Sequence, residues 1–169
     1  MSKRKSAKAD KSVVKTPAEA YDRALGLLAR REHSTRELKV KLAVRGHAKG
    51  DAADAIDRLK DQQYQSDDRF AASLARRRAA QGYGPRRIDA ELRSHGLGDA
   101  AIRTIVAELG LDWLAIAAAQ VRRRFSGGSV ADAEEKAKRA AFLLRRGFDP
   151  ATVRAVTRAD VDDPGQDFD

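Results

Sequence analysis

A chain of 169 residues and 18.5 kDa holds one ordinary domain or a short run of small repeats, and is too short for a two-domain enzyme. With 32 Ala, only 15 Val plus Ile and 5% aromatics, it calls for helices packed through small side chains and argues against an all-β fold or a thick aromatic core. The net charge is +9 and Cys is absent, which removes disulfides, thiolate metal sites and a Cys nucleophile, while the three scattered His show no zinc-ligand spacing.

Residues 1–15 carry six Lys/Arg against Asp10 and no periodic apolar face, so they read as a disordered basic arm without an apolar signal region. Residues 16–64 form the first predicted three-helix repeat. Tyr21, Leu25 and Leu28 give its first helix, which ends at Arg30-Arg31. Ser34 with Glu37 makes a capping box for the second, which closes at Leu42 to Arg45-Gly46, and a third opens at Asp51 and buries Ala52, Ala55 and Leu59. Residues 65–110 form the second repeat. Phe70, Leu74 and the stem of Arg77 mark a helix ending in Arg76-Arg77-Arg78; Gly84-Pro85 starts the next, Leu92 to His95-Gly96 ends it, and Asp99 opens a helix carrying Ile102, Ile105 and Leu109. Residues 111–158 form the third. Ile116, Val121 and Phe125 mark on a looser pattern a helix ending in Arg122-Arg123-Arg124, Asp132 stands three residues before Glu135, and Leu143 to Arg146-Gly147 is followed by Asp149-Pro150 with Val153 and Val156. Residues 159–169, with five Asp and Pro164-Gly165, read as a disordered acidic tail.

The repeat is visible in the glycines. Gly46, Gly96 and Gly147 lie 50 and 51 residues apart, each after a basic residue facing the negative helix end, where only Gly takes the left-handed conformation cheaply. The expected fold is all-α: three tandem three-helix repeats in an elongated, curved, right-handed-packed solenoid whose units each lack enough core to stand alone. No stretch approaches the ~20 apolar residues needed to span a bilayer, and the expectation is a soluble cytoplasmic monomer.

Chemistry-bearing residues read mostly as structure. Asp67-Asp68 and Glu134-Glu135 sit where helices start and favour the dipole there. Gly82-Tyr83-Gly84 lacks the strand and the Lys-Ser/Thr of a phosphate cradle. His33, His47 and His95 fall at helix ends and read as carbonyl caps or solvated side chains, Tyr64 and Phe70 as staples between units, and Trp113 as core. No enzyme chemistry, cofactor or small-molecule substrate follows from any of these. Residues 16–159 keep a charge of +9 with 22 Arg against 6 Lys, and Arg suits bidentate recognition of phosphate or carboxylate.

The order of motifs resembles one family. Arg31, His33-Ser34, Glu37-Leu38, Lys41-Leu42 and Arg45-Gly46 resemble the first repeat of the RecX family of bacterial recombinase regulators. Tyr64, Asp67-Asp68, Phe70-Ala71, Arg78, Gly82-Tyr83-Gly84-Pro85, Ile88, Glu91-Leu92 and Gly96 resemble its second, and Lys136, Lys138, Phe142-Leu143 and Arg145-Arg146-Gly147-Phe148 a weaker third. Two positions depart: Arg139 stands where Leu38 and Ile88 stand in the other units, and His47 replaces a larger apolar residue, so the third unit is expected to pack less tightly.

The resemblance implies a non-enzymatic helical protein that lies in the groove of a RecA filament on single-stranded DNA. It would suppress ATP turnover, strand exchange and the stimulation of LexA cleavage. The basic residues expected to meet the partner are Arg76, Arg77, Arg78, Arg86, Arg87, Arg122, Arg123, Arg124, Arg145 and Arg146, with weak direct DNA contact in addition. The alternative is a stand-alone nucleic-acid-binding protein acting through phosphate contacts. Nine aromatics and few Asn or Gln supply neither a stacking platform nor base readers for it.

Overall fold

A computed structural model describes residues 16–125 and 133–158; the predicted basic arm, the acidic tail and the Asp132 cap lie outside the described residues. Among those described, every regular element is a helix: α1 (Pro17–Leu28), α2 (Thr35–Val44), α3 (Lys49–Asp61), α4 (Asp67–Ala80), α5 (Pro85–Ser94), α6 (Asp99–Glu108), α7 (Trp113–Arg124), α8 (Ala133–Arg145) and α9 (Pro150–Thr157). They pack in threes: α1 and α2 on α3, α4 on α5 and α6, and α7 and α8 on α9.

Local chemistry sets the boundaries. Gly46, Gly96 and Gly147 have φ of 80°, 92° and 87°, the left-handed exits that end α2, α5 and α8. Asp149 caps α9 by accepting from the Thr152 amide at 2.9 Å, with Pro150 in its first turn. Thr16 and Glu19 form a reciprocal capping box on α1. The box expected at α2 is only half formed: Ser34 accepts from the Glu37 amide, while the Glu37 carboxylate turns to Arg31 and His33. Asp51 lies in the first turn of α3 rather than at its start, because the helix begins at Lys49 behind an Ala48 cap without a side-chain hydrogen bond.

Each unit has its own core cluster. Leu38, Leu42, Ile56 and Leu59 close the first around Ala24; Phe70, Leu74, Ile88, Leu92 and Ile102 the second; Leu143, Phe148 and Val153 the third. Small residues make this possible, since Ala20, Ala24, Ala71, Ala75 and Ala117 are fully buried and let helices approach closely. Trp113 and Ile116 lie against both the second and third cores and join them.

Several side chains differ from expectation. Phe70 is core to its own unit, with its ring 4.7 Å from that of His95, and Tyr64 is exposed, so neither staples neighbouring units. Arg77 is exposed, and the stem at the core boundary belongs to Arg78, one position further round α4. His33 and His47 are buried rather than solvated. Arg139 is buried at the Leu/Ile position of the third unit, with Nε 3.4 Å from Glu135 and its guanidinium 5.6 Å from the Phe125 ring centre.

Candidate functional site

The last turn of α4 carries Arg76 and Arg77 on the surface and Arg78 half-buried. Arg78 grips Glu91 of α5 through Nε (2.8 Å) and Nη2 (2.6 Å), and donates to Gln81 at 2.9 Å. The shared hydrogen bonds hold the Glu91 carboxyl below its ordinary range and raise the Arg78 pKa, so both stay charged. The bidentate pair ties α4 to α5.

The Gly82-Tyr83-Gly84 turn that follows α4 is where the third unit docks. Gly84 donates its amide to the Arg146 carbonyl at 2.8 Å, and Arg86 donates to the Gly147 carbonyl at 3.0 Å. Arg146 Nη1 donates back to the carbonyls of Gln81 (3.0 Å) and Gly82 (3.2 Å). Two guanidinium groups lie over the Tyr83 ring, Arg87 at 4.6 Å and Arg146 at 5.3 Å from its centre. The glycines permit this contact. A Cβ at Gly84 would overlap the Gly147 carbonyl, one at Gly147 would sit 2.5 Å from the Arg87 Cβ, and one at Gly82 would overlap the Gln120 side chain.

Arg122, Arg123 and Arg124 are exposed on the last turn of α7. Arg123 donates to Gln120 at 3.0 Å, and Gln120 is buried over Gly82, so this run sits beside the turn that ends α4. Arg124 lies 5.7 Å from the Phe125 ring centre, and Arg145 is exposed at the end of α8. The structure therefore gathers Arg78, Arg87, Arg123 and Arg146 around the junction of the second and third units. Arg78, Tyr83, Arg87 and Glu91 line an open pocket of about 450 Å³ there. Arg76, Arg77, Arg122 and Arg145 have no ion-pair partner among the described residues.

The junction of the first and second units is polar. Asp67 accepts from the Thr35 amide (2.8 Å), the Thr35 hydroxyl (2.9 Å) and Gln65 Nε2 (3.1 Å); Ser34 Oγ lies 2.9 Å from His95 Nδ1, and Arg69 pairs with Glu32 at 2.8 Å. Sequence reasoning missed these partners because each bond spans more than thirty residues or needs the loop path between helices. The signal in the sequence for the other junction was the doubled glycine around Tyr83. Among the described residues no group of three or more His, Cys, Asp or Glu is placed to hold a metal ion, and no single helix is long and apolar enough to cross a membrane.

Comparison with known proteins follows the same division. Residues 20–59, 66–104 and 112–157 match the models of the first, second and third three-helix domains of RecX. The chain is 48% identical over 141 residues to the regulatory protein RecX of Xanthomonas axonopodis pv. citri (strain 306), covering 83% of this chain and 87% of that one. It is 46% identical over 141 residues to that of Stenotrophomonas maltophilia (strain K279a), covering 83% and 86%. Among solved structures it is similar to RecX from Lactobacillus salivarius, with a TM-score of 0.69 at 20% identity over 84% of this chain and 94% of that one. A crystal structure of regulatory protein RecX gives 0.68 at 22% over 84% and 71%. With three successive domains matched in order and near-half identity over most of its length, the chain belongs to the RecX family.

Proposed function

We propose that this chain binds the RecA filament on single-stranded DNA and restrains its ATP turnover, strand exchange and coprotease activity, without chemistry of its own. The observation that carries the reading is the recurrence of exposed arginines at the ends of α4, α7 and α8 on units docked in series. Arg76 and Arg77 belong to one unit and Arg122, Arg123 and Arg145 to the next, so contacts to successive acidic sites along a filament reinforce one another. Holding neighbouring subunits in one arrangement opposes the rearrangement that turnover requires. Arg78, Arg87 and Arg146 act differently: their guanidinium groups fix α5 and the third unit, and thereby the spacing of the exposed ones.

Stacking of single-stranded bases has little to work with. Tyr83 is half-buried with the Arg87 and Arg146 guanidinium groups over its ring, and Trp113 is half-buried against two cores. The test is binding to naked single-stranded DNA and to the same DNA coated with recombinase, at matched salt. Tighter binding to the coated DNA is expected; equal binding with a steep salt slope would make the chain a phosphate-binding protein instead.

A further inference from the structure

The first unit carries a basic surface of a second kind, one with an apolar centre. On the outer face of α2, Val40 is 56% exposed and Val44 79%, one helical turn apart. A groove of about 370 Å³ runs along one side of this ridge toward α3, floored by Ala43, Ala52 and Ala53, with Lys39 and Lys49 on its rim. A groove of about 290 Å³ runs along the other side toward α1, walled by Leu27 and Val44, with Arg23, Lys41 and Arg45 around it. No carboxylate lines either groove among the described residues. Acids stand outside the grooves on their flanks: Glu37 lies 3.8 Å from Lys41, Glu19 shares a neighbouring cavity with Arg23 and Arg45, and Asp22 shares another with Arg23 and Leu27. His47 is buried in the wall of the wider groove, its Nδ1 without a hydrogen-bond partner.

We propose that this ridge docks an acidic polypeptide segment of the partner, bearing two apolar side chains, one for each groove. The inference rests on the filament reading above for the source of that segment. The choice of a polypeptide follows from the chemistry of the surface. A sugar–phosphate backbone would use the lysines and arginines but leave Val40, Val44 and the alanine floor in water, with no aromatic platform for bases. An acidic amphipathic helix uses both, laying its apolar side chains beside the ridge and its carboxylates against the rim. Among the described residues the exposed large apolar side chains besides Val40 and Val44 are Tyr64 and Leu114, neither at the end of α4 or α7, so the two surfaces are suited to different parts of one assembly.

The experiment uses the full chain with Val44 replaced by the photo-cross-linking residue p-benzoylphenylalanine, irradiated on recombinase filaments, with the adducts identified by mass spectrometry. An adduct on an acidic, apolar-bearing segment of the recombinase is expected. Alongside it, Val40→Ser/Val44→Ser should raise the concentration needed for half-inhibition about tenfold, since two exposed valines are moved from water on docking. Its binding to naked single-stranded DNA should be unchanged. Both valines are exposed, so the variant keeps its fold, and Lys39→Glu/Lys49→Glu should act in the same direction through the rim.

Adducts confined to DNA would overturn the proposal. So would adducts confined to residues 159–169 of the chain itself, where Val161 and Phe168 each stand between two Asp. Retention of the wild type but not the valine variant on phosphatidylglycerol vesicles would make a lipid surface the occupant and overturn it equally. Failure of the wild type to inhibit any recombinase would count against the filament reading; inhibition by the valine variant equal to the wild type would count against this inference alone.

Discussion

At Gly84 the chain has no room for a methyl group, and at Gly96 it has room but the wrong backbone angle. The φ of Gly96 is 92° with open space around it, so Gly96→Ala should cost about 1–2 kcal/mol from left-handed strain alone. Gly84→Ala keeps an ordinary φ of −85° but meets the Gly147 carbonyl, and should lower the melting temperature further while freeing the Gly84 and Arg86 amides to exchange. Equal melting temperatures for the two variants would mean that the turn does not hold the third unit.

His33 gives a pH test. Burial is the main cause that lowers its pKa below the ordinary 6.5, against the opposing pull of Glu37, so the folded chain prefers the neutral ring. The unfolded chain takes up a proton near 6.5 that the folded chain resists. The His33 contribution is therefore present above 6.5 and is lost as pH falls through that value toward the folded pKa. His33→Asn should flatten the fall in melting temperature between pH 7.5 and 5.5 relative to the wild type; parallel curves would exclude the residue as its source. The sequence placed His33 correctly at a helix end but could not show that a neighbouring unit covers that end.

Helices were the most legible elements, because their ends carry their own chemistry. Gly46, Gly96 and Gly147, Gly84-Pro85 and Asp149-Pro150 all stand where the structure starts or stops a helix. The faces were less legible. On α4 the residue at the core boundary is Arg78 rather than Arg77, because its partner Glu91 lies on the following helix and no spacing within α4 reveals it. Asp67 illustrates the same limit. As a helix-start acid it was readable, but its larger part is to accept two hydrogen bonds from Thr35 that join α4 to the start of α2, beside a third from Gln65. Asp67→Ala should cost about 1–3 kcal/mol and expose the Thr35 amide to exchange while leaving the cores of the separate units protected. Unchanged protection at Thr35 would show that the first two units are held together elsewhere.

Over the whole molecule, the repeat period in the glycines pointed to three units, and the family resemblance supplied a partner that no pattern of charge could have named. What neither supplied was how the units join: a polar contact between the first two, and between the last two a glycine-permitted backbone contact beside the shared packing of Trp113 and Ile116. Both junctions are small beside the cores, which predicts an elongated particle. Small-angle scattering should give a radius of gyration clearly above the ~15 Å of a compact globule of this length, and a value at that level would count against an open array.

The arginines of the second and third units make a further requirement on that array. Arg76, Arg77, Arg122 and Arg123 are exposed at helix ends, where removing charge costs little stability. The most direct measurement is the DNA-dependent ATPase rate of RecA with sub-stoichiometric amounts of this chain and of its Arg76→Ala/Arg77→Ala/Arg122→Ala/Arg123→Ala variant. Strong inhibition by the wild type, and loss of most of it in a variant with undiminished helical content, is the predicted result. An ATPase rate that the wild type leaves unchanged would contradict the account.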